Sequence, residues 1–215
     1  TEAAIEQATL ELLELYAAIG VREFDLLALV PFGDAWRNKD ELFCDFEDPR
    51  NLSLLHRALE LARSGLRLWT NRLRPEFLEG YEDLIQPPEK ILDEVRGRRR
   101  IFSRFLKAGR SPSCSGPACR RCFLRDFCAD LLRLRLEGSL RASGPLCMGG
   151  GPGESFELGA GDLFAFAEFF IRSRYQAKGS ACRGCSLSSR CGGMAVREIR
   201  EKGFGVLSPV GRPHG

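Results

Sequence analysis

Apolar residues recur with a helical period in some stretches of this chain and as short runs in others, and proline and glycine mark the changes between them. Ile5, Ala8, Leu12, Leu15 and Ile19 lie about one turn apart, which predicts a helix over residues 1–20 stopped by Gly20. Phe24 to Val30 is a compact apolar run closed by Pro31 and Gly33, as a buried strand is. Asp48-Pro49 sets a capping residue before a proline, the order that opens a helix. That helix has Leu52, Leu55, Leu59 and Ala62 as its expected core face and Gly65 as its stop. Leu66 to Thr70 reads as a second short strand. Pro75 then opens a helix running to about Ile85, and Pro88 a longer one to about Ala108.

Alternating helices and strands are the pattern of βα units on a parallel sheet. Two strands do not complete such a sheet. The expected fold class is therefore α/β, with residues 1–108 as the C-terminal part of a partial (β/α) barrel whose N-terminal half is missing. A small irregular α-rich domain with a two-stranded edge is the alternative. From Gly109 the composition turns to serine, glycine, proline and cysteine. Residues 109–215 read as a small cysteine-rich extension, mostly helical and loop, in two units, 109–138 and 139–215. Helices are expected from about Asp126 to Glu137, from Asp162 to Tyr175 and near Ala195 to Glu201. Gly144 to Gly153 reads as a glycine-rich loop, and the tail has no clear pattern. Within that loop, Gly149-Gly150-Gly151-Pro152-Gly153-Glu154 has neither the preceding strand nor the lysine of a phosphate loop.

Charge changes the picture little. The net charge of +3 over 215 residues does not argue for nucleic acid. The local density of Arg96, Arg98, Arg99, Arg100, Arg104 and Arg110 reads as a solvated helix face. No run approaches the roughly 20 apolar residues of a membrane helix. The acidic start, Thr1 to Ala8, is unlike a secretory signal. A cytoplasmic location is expected, and Thr1 in place of methionine suggests a fragment or processed form.

The cysteines change it most. There are nine, and seven fall in two groups: Cys114, Cys119, Cys122 and Cys128, then Cys182, Cys185 and Cys191. Without a secretion signal such clusters point to metal rather than disulfides. Cys119-x2-Cys122-x5-Cys128 and Cys182-x2-Cys185-x5-Cys191 share one spacing. Each has an arginine after its first cysteine (Arg120, Arg183) and a leucine two places after its second (Leu124, Leu187), so the unit is an internal repeat. Four thiolates around a compact inorganic core make a [4Fe–4S] site. The short gap serves adjacent corners, and the longer gap reaches another corner. Arg120, Arg121, Arg125, Arg183 and Arg190 offset cluster charge, and amides of Gly184, Gly192 and Gly193 are available to sulfur.

The first group supplies four ligands and the second three. Cys147, in the preceding glycine-rich loop, is the expected fourth; a non-protein ligand or an open iron is the alternative. Cys44 reads as a lone, small buried residue. Zinc, which prefers separated ligand pairs, is the rival metal. With it goes a rival function, a non-catalytic cysteine-rich module that binds a protein partner.

Cys182-x2-Cys185-x5-Cys191-Gly192-Gly193, more loosely Cys119-x2-Cys122-x5-Cys128, and Leu29-Val30-Pro31-Phe32-Gly33-Asp34-Ala35 together resemble the C-terminal portion of radical SAM enzymes with a SPASM or twitch extension. The resemblance implies two auxiliary [4Fe–4S] clusters that move an electron or hold a substrate, often a peptide or small protein. The family's Cys-x3-Cys-x2-Cys motif for the cluster that cleaves S-adenosylmethionine is not in this sequence. S-adenosylmethionine and a third cluster are thus expected only with a missing N-terminal part. Leu132 and Ala195 stand where SPASM proteins commonly carry a further cysteine.

Trp36, Arg37 and Asn38 follow the first predicted strand, and Thr70, Asn71 and Arg72 the second. Such loops line the active face of a βα barrel. Trp36, Arg37, Asn38 and Asn71 are candidates for cofactor or substrate binding, equally explained as ordinary loop residues. His56 lies within a predicted helix and His214 in the tail, and no serine, histidine and acid set stands out for nucleophilic catalysis.

Overall fold

The computed structural model describes residues 2–29, 34, 37–38, 42–108, 119, 122–150, 152–159 and 162–211. It divides into two units, residues 1–86 with 116–123, and residues 87–115 with 124–215. This line differs from the expected ranges 1–108 and 109–215. The segment 90–108 joins the second unit because its apolar face packs there, with Phe102 set edge-on against Phe127 at 5.3 Å.

The first unit runs α1 (Glu2–Ala18), β1 (Glu23–Leu27), α2 (Pro49–Arg63) and β2 (Arg67–Asn71). The two strands pair in parallel, Glu23 opposite Arg67 and Leu27 opposite Asn71. Phe24 and Leu26 on one face pack against buried Leu10, Leu13 and Ala58, contributed by α1 and α2. The opposite face carries exposed Glu23, Asp25, Leu27, Arg67 and Trp69. Asp48 caps α2 as its sequence foretells, its carboxylate accepting the Arg50 N–H at 2.8 Å.

Several expectations in this unit need correction. Leu12, Leu15 and Ile19 of α1 are 50%, 57% and 68% exposed, and Leu10 and Leu13 are the buried pair. The face of α1 is therefore rotated from the one expected. On α2 the buried set is Asn51, Leu55, Ala58 and Leu59, with Leu52 and Ala62 only half-buried. Asn51 is accommodated because its side chain donates to the Asp45 carbonyl at 3.1 Å. The helix expected from Pro75 is instead two short 3₁₀ turns, Pro75–Leu78 and Glu82–Leu84. Gly80 between them has φ 90°, a left-handed conformation that no helix continues through.

The second unit runs α3 (Lys90–Gly97), α4 (Arg99–Ala108), α5 (Arg125–Glu137), β3 (Ser139–Ser143), β4 (Pro152–Glu157), α6 (Leu163–Ser173), β5 (Gln176–Ala177), β6 (Met194–Ala195) and α7 (Val196–Lys202). The single helix expected to Ala108 is two, broken at Arg98 (φ −117°, ψ 18°). The expected glycine-rich loop is also shorter. Its last residues enter β4, antiparallel to β3, with Pro152 as first residue, where a missing N–H is tolerated.

The core is built on α6. Phe127 meets Phe166 and Phe170 at 5.5 and 5.3 Å, each buried ring contributing about 1.5–3 kcal/mol. Asp162 caps α6 by accepting the Phe164 and Ala165 amides. Just past α6, Arg174 forks onto buried Asp130 through Nε at 2.6 Å and Nη2 at 2.8 Å. Among the described residues no helix is long and apolar enough to cross a membrane.

Candidate metal centre

The second cysteine group lies on a loop whose base is closed by two backbone pairs, Gln176 with Ala195 and Ala177 with Met194. Cys182 sits in a 3₁₀ turn, Ser180–Gly184. The Cys185 amide donates to the Cys182 carbonyl at 3.2 Å, and the Cys191 amide to the Leu187 carbonyl at 3.0 Å. The chain then leaves through Gly193, with φ 101°, where a β-carbon would collide with the Ala177 carbonyl. Only glycine fits that approach.

Cys147 comes from another part of this unit, the 3₁₀ turn Leu146–Met148 between β3 and β4. Gly150 folds back there to donate to the Pro145 carbonyl at 3.1 Å. A β-carbon on Gly150 would lie 2.6 Å from the Gly144 carbonyl carbon, so this turn also requires glycine. The turn meets the cysteine loop where the Leu146 N–H donates to the Cys191 sulfur at 3.5 Å. The Gly193 N–H donates to the same sulfur at 3.4 Å.

Burial pushes the Cys182 thiol up, a hydrogen bond with the Gly179 backbone lowers it in part, and Cys147, Cys185 and Cys191 raise it again. All three cysteines therefore lie within electrostatic reach of Cys182. The four are half-buried. An all-thiol set suits an iron–sulfur cluster or zinc. As the side chains stand, no group of three or more His, Cys, Asp or Glu among the described residues could hold a single metal ion.

The first group repeats the local backbone of the second. The Cys122 amide donates to the Cys119 carbonyl at 3.1 Å, and the Cys128 amide to the Leu124 carbonyl at 2.9 Å. The leucine shared by the two motifs is thus the residue whose carbonyl receives the third cysteine's N–H in both. The units part company afterwards: Cys128 lies inside α5, whereas Cys191 leads into Gly192 and Gly193. Cys119 and Cys122 belong to the first compact unit and Cys128 to the second. Cys114, Arg120 and Arg121 lie outside the described residues. Arg125 pairs with Asp126 at 2.8 Å, and Arg183 and Arg190 are exposed.

Of the candidate cofactor residues of the first unit, Arg37 and Asn38 share one partner, Asp34, and Asn71 lies at the end of β2. Trp36 lies outside the described residues. Arg37 is exposed and pairs with Asp34 at 2.7 Å, and the Asn38 side chain donates to the Asp34 carbonyl at 3.2 Å. Asn71 ends β2, its carbonyl accepting the Ala28 N–H at 2.9 Å. A cavity of about 500 Å³ opens past the C-terminal ends of both strands, its described walls including Leu29, Phe43, Cys44, Phe46, Arg72 and Arg74, but not Arg37, Asn38 or Asn71. Arg74 is already engaged by Glu47 and Glu76. Cys44 is half-buried. His56 is structural, its Nε2 lying 2.9 Å from the Phe77 carbonyl.

No protein-family model, no curated protein sequence and no solved structure matches this chain.

Proposed function

We propose that this chain handles electrons at two [4Fe–4S] clusters, as the C-terminal portion of a radical SAM enzyme of the SPASM or twitch type acting on a peptide. In this reading Cys147, Cys182, Cys185 and Cys191 ligate one cluster, and Cys114, Cys119, Cys122 and Cys128 the other. The parallel β1–β2 pair belongs to a partial βα barrel. The observation that carries the reading is the Leu146 N–H on the Cys191 sulfur, which brings a turn from between β3 and β4 onto a loop 45 residues further on. It supports Cys147 as the fourth thiol of a group that has three by spacing alone. The recurrence of one backbone pattern at both Cys-x2-Cys-x5-Cys motifs supports a second site built like the first.

A bound cluster supplies reversible one-electron storage. The rest falls to the chain. Four thiols give a soft donor set. Amides of Leu146 and Gly193 place partial positive charge at the Cys191 sulfur, where amide hydrogen bonds tune such a site. The β5–β6 pair fixes the loop's two ends.

The test is anaerobic reconstitution of the chain followed by metal and sulfide analysis. Iron and acid-labile sulfide in near-equal amounts, with a broad absorbance near roughly 400 nm, are expected of thiolate-bound clusters. A colourless protein carrying zinc overturns the reading in favour of a zinc-binding interaction module.

A further inference from the structure

We infer that Lys178 is a positioning residue of the Cys147, Cys182, Cys185 and Cys191 centre, holding both arms of its loop and setting a fixed positive charge beside them. The inference rests on the proposed cluster reading. Lys178 is the first residue after β5 and is half-buried. Its ammonium donates to the Ser188 carbonyl at 2.7 Å. Ser188 in turn donates its amide to the Cys185 carbonyl at 3.0 Å, so this contact fixes the turn that follows Cys185. The stem of Lys178 lies on the other arm. Its Cγ is 3.0 Å from where a β-carbon on Gly193 would sit, and Gly193 donates to the Cys191 sulfur. One side chain thus spans from the exit of Cys185 to the exit of Cys191.

The charge of Lys178 has no carboxylate partner among the described residues. An ammonium bonded to a carbonyl, with no carboxylate beside it among the described residues, is an arrangement in which the positive charge is not offset. It is a good one beside a centre that carries negative charge. When an external low-potential donor passes one electron to such a centre, no bond is made or broken and no proton moves. A cluster held by these four thiols would gain one negative charge on reduction. A cation held nearby favours that electron-rich form. Lys178 therefore raises the reduction potential of this centre as well as ordering its loop.

The experiment is a mediated reductive titration of the reconstituted full chain, followed by electron paramagnetic resonance. The signal read is the one that Cys185→Ala abolishes. Lys178→Met, which keeps the stem and loses the charge, should make reduction about tenfold less favourable, about 59 mV more negative for a one-electron couple. Lys178→Arg should recover most of the shift. Lys178→Gln keeps a donor without charge; it should shift the potential as Met does and serves if the Met variant fails to load. An unchanged potential in a loaded neutral variant, or no recovery with arginine, overturns the inference. Wild-type chain that takes up no iron overturns the underlying reading instead, before any variant is made.

Discussion

A β-carbon added to Gly193 would lie 2.1 Å from the carbonyl oxygen of Ala177. The Gly193 amide also donates to the Cys191 sulfur at 3.4 Å. Gly193→Ala should therefore open the β5–β6 clamp. The expected cost is at least about 1–3 kcal/mol from the left-handed backbone alone. Iron at the second group should fall with it. Urea unfolding and iron per chain check both; a variant unchanged in either measure contradicts this account of the loop.

Ligand loss should be grouped. Cys147→Ser or Cys185→Ala should remove roughly half the iron, and Cys119→Ala or Cys122→Ala the other half, if each motif holds its own cluster. A single change that strips all the iron from folded protein rules out two separate sites. Cys44→Ala should keep full iron at a cost of about 1 kcal/mol or less. Proportionate iron loss there makes Cys44 a ligand.

Part of the backbone geometry of the two cysteine loops is legible in the sequence. The doubled spacing shows it, and the leucine common to both motifs marks the carbonyl that receives the third cysteine's amide. The role of Gly193 is legible too, since loop glycines beside cysteines free amides for sulfur. Leu146 and Lys178 are not. Their parts depend on where distant turns land, which no local pattern records. In the fold, Asp48-Pro49 announces α2 because its capping chemistry is local. The face of α1 is missed because Leu10, Leu12, Leu13 and Leu15 surround the helix, and tertiary contact with Phe24 and Leu26 chooses among them. The β3–β4 hairpin is missed because its strands are poor in β-branched residues; Leu140 and Ala142 are buried on β3. Phe156 on β4 packs against Phe166 and Phe169 of α6.

The Arg174 fork onto Asp130 is a largely buried ion pair of the second unit, the two side chains being 17% and 8% exposed. Asp130→Ala leaves the guanidinium without its anion and should destabilise by about 3–5 kcal/mol. Chemical denaturation gives the number. A loss below about 1 kcal/mol means that water reaches Arg174 freely.

Glu154 sits on β4, its carboxylate held by Arg172 at 2.8 Å and by the Ser173 hydroxyl. The Arg172 hydrogen bond, then that of Ser173, holds its carboxyl below the usual carboxylate range. A lowered value means that this stabilisation is present above the unfolded-state pKa and is lost as pH falls through the folded one. The stability difference between wild type and Glu154→Gln should therefore be flat near neutrality and shrink below about pH 4.5. Unfolding curves at several pH values check it; a difference that grows on acidification has the wrong sign.

The sequence holds no Cys-x3-Cys-x2-Cys. Reconstituted and reduced, this chain alone should form no methionine and 5′-deoxyadenosine from S-adenosylmethionine above background. Turnover that disappears in Cys185→Ala makes the second group the cleaving centre.

Cys147 and Cys191 stand on either side of α6 in the chain, and α6 carries Phe166 and Phe170 into the core around Phe127. The two cysteine segments are joined by the Leu146 N–H on the Cys191 sulfur. On the proposed reading, loading of these thiols with iron should depend on the closing of an aromatic core that holds no ligand. A fault in that core, Phe166→Ala for instance, should present first as a chain that is made in full and stays colourless.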